Sequence, residues 1–143
     1  MTAIRRIAAS PIMSEAWPAF RDAVDEKFQD YKGPSGDLNL ERIKGLHFVY
    51  CDKARPHTDP DHGWTALWVF QSSHVLFVGS GRHIKQEPLI NKSIFLFDSR
   101  RQHWTSKGDG LLICGFIDFW QQEPTEDEVI SEFETIIKGE GNA

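Results

Sequence analysis

The sequence predicts one mainly β domain with a helix at each end and with its strands arranged as an antiparallel barrel or sandwich. The chain has 143 residues, a length that suits a single hydrophobic core, so residues 1–143 are expected to form one domain. Between residues 46 and 120, five or more short runs of β-branched and aromatic residues are separated by clusters of Gly, Ser, Asn, Asp and Pro. No helical periodicity lies between these runs, which argues against a parallel sheet built from alternating strands and helices.

The N-terminal helix is predicted over residues 14–32. Ser14 is a suitable N-cap, and Pro18 then falls in the first turn, where proline is tolerated. The glycines and proline of residues 33–36 end the helix. Apolar residues recur at spacings of three and four, the period of a helix with one buried face, at Trp17, Phe20, Val24 and Phe28.

The β core is predicted over residues 46–120. Just before it, Asp37 or Asn39 is expected to cap a single helical turn that runs through Leu40 and Ile43. Within the core, strands are expected at 46–51, 64–70, 74–78, 93–97 and 111–119.

The C-terminal helix is predicted over residues 125–138. Thr125 and Glu128 have the spacing of a capping box, and Gly139 is expected to stop the helix. Its apolar face is formed by Val129, Ile130, Phe133, Ile136 and Ile137.

Charge and cysteine content narrow the classes of function. The formal net charge of -5 gives no general attraction to nucleic acid or to an anionic membrane surface. No apolar run is long enough for a membrane span or a signal peptide. Cys51 and Cys114 lie in apolar runs without zinc-finger spacing and are expected to be buried free thiols. A cytoplasmic protein is therefore predicted, with neither a nucleic acid nor a membrane as its partner.

Metal ligands are predicted at three positions. His57 and Asp59 are two residues apart, so in an extended segment their side chains point to the same side and can reach one ion. His103 follows a buried-strand pattern, far enough along the chain for an antiparallel barrel to return it beside His57. Two imidazoles and one carboxylate form the facial triad of non-haem Fe(II) and leave coordination positions open for substrates.

Two other interpretations of this segment remain open. The run from His57 to Gly63 also has the composition of a solvated polar turn, and His103 would then be an exposed loop residue. Alternatively, His62 could join His57 and Asp59 in a zinc site confined to one loop.

The order of these residues resembles the Fe(II)/2-oxoglutarate-dependent oxygenases. The resemblance covers residues 46–120 and includes Tyr50, the His57-Thr-Asp59 pair, the strand-like run that leads to His103, and the apolar run from Leu111. It implies a double-stranded β-helix core of the jelly-roll or cupin type. It also implies that His57, Asp59 and His103 hold catalytic Fe(II).

The same resemblance implies 2-oxoglutarate as co-substrate. Tyr50 stands where many family members have a Tyr that hydrogen-bonds a 2-oxoglutarate carboxylate. The family's basic residue for the far carboxylate follows the distal His by about ten positions, but here Ile113 occupies that place. A positive charge could come instead from a neighbouring segment, for which the candidates are Arg82, Arg100, Arg101 and Lys107.

The function implied is a hydroxylase. It would couple decarboxylation of 2-oxoglutarate to the oxidation, by molecular oxygen, of a small-molecule or protein substrate. The missing basic residue supports an alternative of another class, namely a non-catalytic cupin-like ligand-binding module or a degenerate oxygenase fold used for protein contacts.

Overall fold

A computed structural model of the protein describes residues 3–28, 33–120 and 122–141. Residues 29–32, the end of the predicted N-terminal helix, lie outside the described residues. The described residues form nine strands and two helices, so the predicted mainly β fold with flanking helices is confirmed. The elements in chain order are β1 (Ile4–Ile7), α1 (Pro11–Phe28), β2 (Asn39–Ile43), β3 (Leu46–Cys51), β4 (Trp64–Gln71), β5 (Val75–Val78), β6 (Lys85–Pro88), β7 (Ile94–Asp98), β8 (His103–Thr105), β9 (Leu112–Phe119) and α2 (Glu126–Gly141).

The described strands form two sheets. The larger sheet has six strands in the order β1-β7-β4-β9-β3-β2, and the smaller has three in the order β6-β5-β8. Every neighbouring pair is antiparallel, as the lack of helical periodicity between the strands predicts. The central strands β4 and β9 connect the two halves of the larger sheet.

The larger sheet is covered on both faces. Successive side chains of a strand point to opposite faces, so Trp68 of β4 faces the helices whereas Val69 faces away from them. On the helix side, the Trp68 ring packs against Phe20 of α1 and Phe133 of α2. On the other side, Val69 belongs to a second buried cluster that includes the apolar residues of β5. The candidate functional site lies on this second side.

Helix α1 begins earlier than the sequence predicts. The Met13 N–H group donates a hydrogen bond to the Ser10 hydroxyl at 3.3 Å, so Ser10 rather than Ser14 is the N-cap. Pro11 then takes the first helical position, which suits a residue without an N–H group. The prediction that Pro18 lies in the first turn is therefore wrong, because this residue lies inside the helix.

The helical turn predicted through Leu40 and Ile43 is also wrong. Both residues belong to β2, which forms a hairpin with β3. The two residues of the connection, Lys44 and Gly45, have φ angles of 52° and 81°. Positive φ at both positions is typical of the type I′ turn that joins two-residue hairpins. The turn and the pairing partner thus decide the structure of a segment whose own sequence is ambiguous.

Helix α2 begins with the predicted capping box. The Glu128 N–H group donates to the Thr125 hydroxyl at 3.1 Å, and the Thr125 N–H group donates to the Glu128 carboxylate at 3.1 Å. The helix runs to Gly141 and so passes the predicted stop at Gly139. Neither helix in the described part of the chain is apolar over a sufficient length to cross a membrane.

Candidate metal centre

The site is built on an isolated β-bridge between His57 and His103. The His57 N–H group donates to the His103 carbonyl at 3.1 Å, and the His103 N–H group donates to the His57 carbonyl at 2.9 Å. Directly opposed residues of an antiparallel pair project their side chains to the same side. The two imidazole rings accordingly lie with their centroids 4.2 Å apart.

Asp59 completes the group. Its N–H group donates to the Ser99 carbonyl at 2.8 Å, which holds the loop after His57 against the end of β7. The Asp59 Oδ2 atom lies 3.4 Å from His57 Nε2 and 3.1 Å from His103 Nε2. The ligand atoms of the three residues all lie within 4.8 Å of one another, so this group could hold a metal ion.

The backbone fixes which ring nitrogen of each histidine faces the centre. His57 Nδ1 lies 2.6 Å from the Arg55 carbonyl oxygen, and His103 Nδ1 lies 2.8 Å from the Arg101 carbonyl oxygen. A carbonyl oxygen can only accept a hydrogen bond, so each Nδ1 carries the proton and donates it. In a neutral ring the Nε2 atom then presents a lone pair. Backbone partners of this kind orient the histidine ligands of metal sites.

Three acceptor atoms therefore meet at one point. Two Nε2 lone pairs and the Asp59 carboxylate cannot satisfy one another unless a proton or a cation lies between them. Burial lowers the pKa of His103, although the hydrogen bond to the Arg101 carbonyl opposes this effect. Its neutral, metal-binding form is favoured as a result. The donor set thus fits a divalent first-row metal ion.

Ser99 and Gly63 anchor the loop that carries Asp59, and the sequence did not single out either of them as part of the site. Ser99 is buried, and both its N–H group and its hydroxyl donate to the Gly63 carbonyl, at 2.9 and 2.6 Å. Gly63 has a φ of 71°, and a Cβ atom there would collide with the carbonyl oxygen of Phe119. The glycine in the turn was the available signal in the sequence.

An apolar cavity of about 260 Å³ opens beside the three ligands. It lies between the larger and the smaller sheet, and His57, Asp59 and His103 form part of its wall. The site therefore combines a group that could hold a metal ion with space for a small molecule. Most of the remaining wall is apolar and includes Val49, Leu67, Leu76, Phe97, Leu112 and Phe116.

A second carboxylate, Asp118, lines the same cavity. Its Oδ1 atom accepts a hydrogen bond from the Thr65 hydroxyl at 2.7 Å, and its Oδ2 atom lies 3.5 Å from His62 Nδ1. Burial raises the pKa of Asp118, and the Thr65 hydrogen bond opposes the rise. The sequence prediction missed this residue. The available signal was the spacing of two residues between Phe116 and Asp118, which places both side chains on the same face of the strand.

The residues predicted to bind 2-oxoglutarate lie elsewhere. The Tyr50 ring stacks on Phe28 of α1 at 4.1 Å, on the helix-covered face of the larger sheet. Arg82, Arg101 and Lys107 are exposed, and Lys107 lines a different, shallow depression. The described lining of the cavity beside His57, Asp59 and His103 contains neither Arg nor Lys.

The two other interpretations of the histidine segment can be compared with this geometry. His103 is buried, with 6 % of its surface exposed, and lies in β8 rather than in an exposed loop. His62 lies outside the three-residue group and faces Asp118 instead. The zinc site confined to one loop is therefore not the arrangement found.

The two cysteines also line the cavity, and both are buried free thiols, as predicted. Burial, reinforced by the neighbouring Asp52, raises the pKa of Cys51 to about 12. Burial likewise raises the pKa of Cys114. Both side chains therefore act as small apolar groups in the wall.

A scan against protein-family models finds no match for this chain, and a search of curated proteins finds none either. The arrangement of His57, Asp59 and His103 is thus the strongest guide to function.

Proposed function

We propose that the protein is a mononuclear non-haem Fe(II) oxygenase that oxidises a small molecule held in the apolar cavity. The observation that carries the proposal is the meeting of two imidazole Nε2 atoms and one carboxylate at the wall of that cavity. Two histidines and one carboxylate leave further coordination positions open, and this donor set is typical of Fe(II) oxygenases.

Each part of the chain has a defined task in this proposal. His57, Asp59 and His103 would hold the ion, while the carbonyl groups of Arg55 and Arg101 keep both Nε2 atoms turned toward it. The apolar wall would bind the substrate next to the ion and exclude water. Bound Fe(II) would supply the redox chemistry toward molecular oxygen.

2-Oxoglutarate as co-substrate, and a double-stranded β-helix as core, are proposals that rest on the resemblance of the sequence. The antiparallel sheets on either side of the cavity support the second. The first has less support, because the described cavity lining has neither Arg nor Lys for the far carboxylate.

The test is an anaerobic Fe(II) titration followed by calorimetry. We expect wild-type protein to bind one equivalent, and His57→Ala and His103→Ala to weaken binding by more than about tenfold, since each removes a ligand. His83→Ala is the matched control, because His83 is exposed and lies outside the three-residue group. Unchanged affinity in both ligand variants would contradict the proposed centre.

Adding 2-oxoglutarate to the same anaerobic samples tests the co-substrate. Chelation of the iron by 2-oxoglutarate gives a weak visible charge-transfer band, which we expect in wild type and not in His103→Ala. Iron binding without this band would exclude 2-oxoglutarate and leave an Fe(II) oxygenase with another co-substrate.

A non-catalytic ligand-binding module is the second candidate. It is favoured by the apolar cavity itself, whose described wall has neither Arg nor Lys to hold an anionic co-substrate. Ligand binding without Fe(II) binding and without oxygen uptake would identify this class.

A further inference from the structure

We propose that the cavity binds a small apolar molecule that carries a hydrogen-bond donor, an amine or a hydroxyl, and that Asp118 accepts this hydrogen bond. The inference deepens the proposed function by naming its substrate class. Its central residue, Asp118, is not one of the proposed metal ligands.

The register of the sheet places Asp118 in the cavity wall. Asp118 of β9 is paired with Thr65 of β4, and both side chains line the cavity together with Phe116 and Leu67 of the same two strands. Asp118 therefore places a carboxylate beside an apolar surface formed by the same two strands. A ligand that lies on this surface would meet the carboxylate at one end of its apolar body.

The neighbours of Asp118 leave it able to accept another hydrogen bond. The Thr65 hydroxyl occupies one direction on Oδ1, and the contact of Oδ2 with His62 is long, at 3.5 Å. A carboxylate has about four acceptor sites on its two oxygens, so sites remain for a ligand. The Asp118 side chain is 18 % exposed, a limited opening to solvent that a bound ligand would close.

The charges around the cavity favour a ligand that carries a hydrogen-bond donor over an anionic ligand. The described wall has two carboxylates, Asp59 and Asp118, and neither Arg nor Lys. At the Asp118 end of the cavity a carboxylate ligand would lose its hydration without meeting an Arg or Lys side chain, and it would be repelled by Asp118. An amine or hydroxyl would instead replace its water partners with a charge-assisted hydrogen bond.

The cavity volume limits the size of the ligand. About 260 Å³ lies just below the range of roughly 300–1,000 Å³ that is usual for pockets that hold drug-sized molecules. A bicyclic aromatic body with one short polar arm is therefore a suitable probe.

The experiment compares three probes that share one skeleton: 2-naphthylmethylamine, 2-naphthylmethanol and 2-naphthoate. Binding to the full-length protein is measured by calorimetry with a chelator present, so that no metal takes part. We expect the amine and the alcohol to bind about tenfold or more tightly than the carboxylate. Equal or tighter binding of 2-naphthoate, or no binding of any probe, would overturn the proposal.

Variants assign the effect to Asp118. Asp118→Asn is expected to weaken amine binding by about tenfold and to remove most of the preference over the carboxylate. The matched control is Asp22→Asn, which makes the same change at an exposed position on α1, across the larger sheet from the cavity. If Asp59→Asn removes the preference and Asp118→Asn does not, the proposed contact is wrong. Should Asp118→Asn not fold, the selectivity of wild-type protein among the three probes still tests the proposed ligand class.

The same titrations in His103→Ala separate this proposal from the metal centre. Retained probe selectivity together with lost Fe(II) binding supports the ligand site alone. Intact Fe(II) binding together with a preference for 2-naphthoate supports the metal centre and rejects the ligand class.

Discussion

His57 and His103 exchange both of their backbone hydrogen bonds, at 3.1 and 2.9 Å, although they lie in segments that are far apart in the sequence. This bridge brings the two imidazoles together through the backbone. A site that the backbone has already organised loses less conformational entropy when it binds its ligand. The bridge also makes the centre depend on the residues that hold the loop in place.

Gly63 is the first such residue. We expect Gly63→Ala to lower the free energy of unfolding by about 1–3 kcal/mol, because alanine disfavours the φ of 71° and its Cβ atom would collide with the Phe119 carbonyl. Gly81→Ala is the matched control, since Gly81 has a φ of 56° but open space around the Cβ position. Urea unfolding of both variants separates backbone strain from collision, and an equal loss in the two would show that the collision has no effect.

Ser99 is the second residue that holds this loop in place. Ser99→Ala removes the hydroxyl that donates to the Gly63 carbonyl at 2.6 Å but keeps the Ser99 carbonyl that binds the Asp59 N–H group. We expect a loss of about 1 kcal/mol in the free energy of unfolding. We also expect Fe(II) affinity to fall by up to about tenfold, because the loop that carries Asp59 is held less firmly.

Chemical unfolding and anaerobic Fe(II) titration measure the two effects of Ser99→Ala. The exposed Ser80 gives the control variant Ser80→Ala, for which both values should match wild type. Wild-type stability and wild-type metal affinity in Ser99→Ala would show that the hydroxyl does not support the site.

Asp118 should make stability depend on pH. Burial raises its pKa, so the folded state holds the proton at pH values where the unfolded state has already released it. The free energy of unfolding should therefore fall as the pH rises from about 4, the ordinary value for Asp, through the raised pKa. The slope from this group can be no steeper than about 1.4 kcal/mol per pH unit.

Comparison with Asp118→Asn isolates that slope. Urea unfolding across this pH range should show wild type losing stability relative to the variant as the pH increases. A constant difference between the two proteins, or one that changes in the opposite direction, would contradict the raised pKa.

The cysteines should be inert while the protein is folded. The pKa of Cys51 is raised to about 12 and that of Cys114 is raised as well, so almost no thiolate exists at about pH 8, and both side chains are buried. A thiol-reactive chromogenic disulfide should therefore label neither residue in native protein and both in denaturant. Rapid labelling of native protein would show that the cavity wall opens far enough to admit the reagent.

Local patterns in the sequence were sufficient for both helices and for the strands that contain apolar runs. Helix α1 and helix α2 follow from their spacings of three and four, and the capping box at Thr125 is present. The strands β3, β4, β5, β7 and β9 follow from apolar runs between turn residues. The strands β1, β2, β6 and β8 were not predicted, because none of them contains a continuous apolar run and each depends on a partner far away in the chain or on a hairpin turn.

The sequence by itself determined which residue types were available for chemistry, and these included His57, Asp59 and His103. Only the tertiary structure decided which of the candidates meet, since the His57–His103 bridge is a long-range pairing and the facing of a strand residue depends on register. Register turns Tyr50 toward α1 and away from the cavity, and it turns Asp118 into the cavity. The types of side chain available for chemistry can be predicted from the sequence, whereas the meeting of these side chains at one point requires the folded sheet.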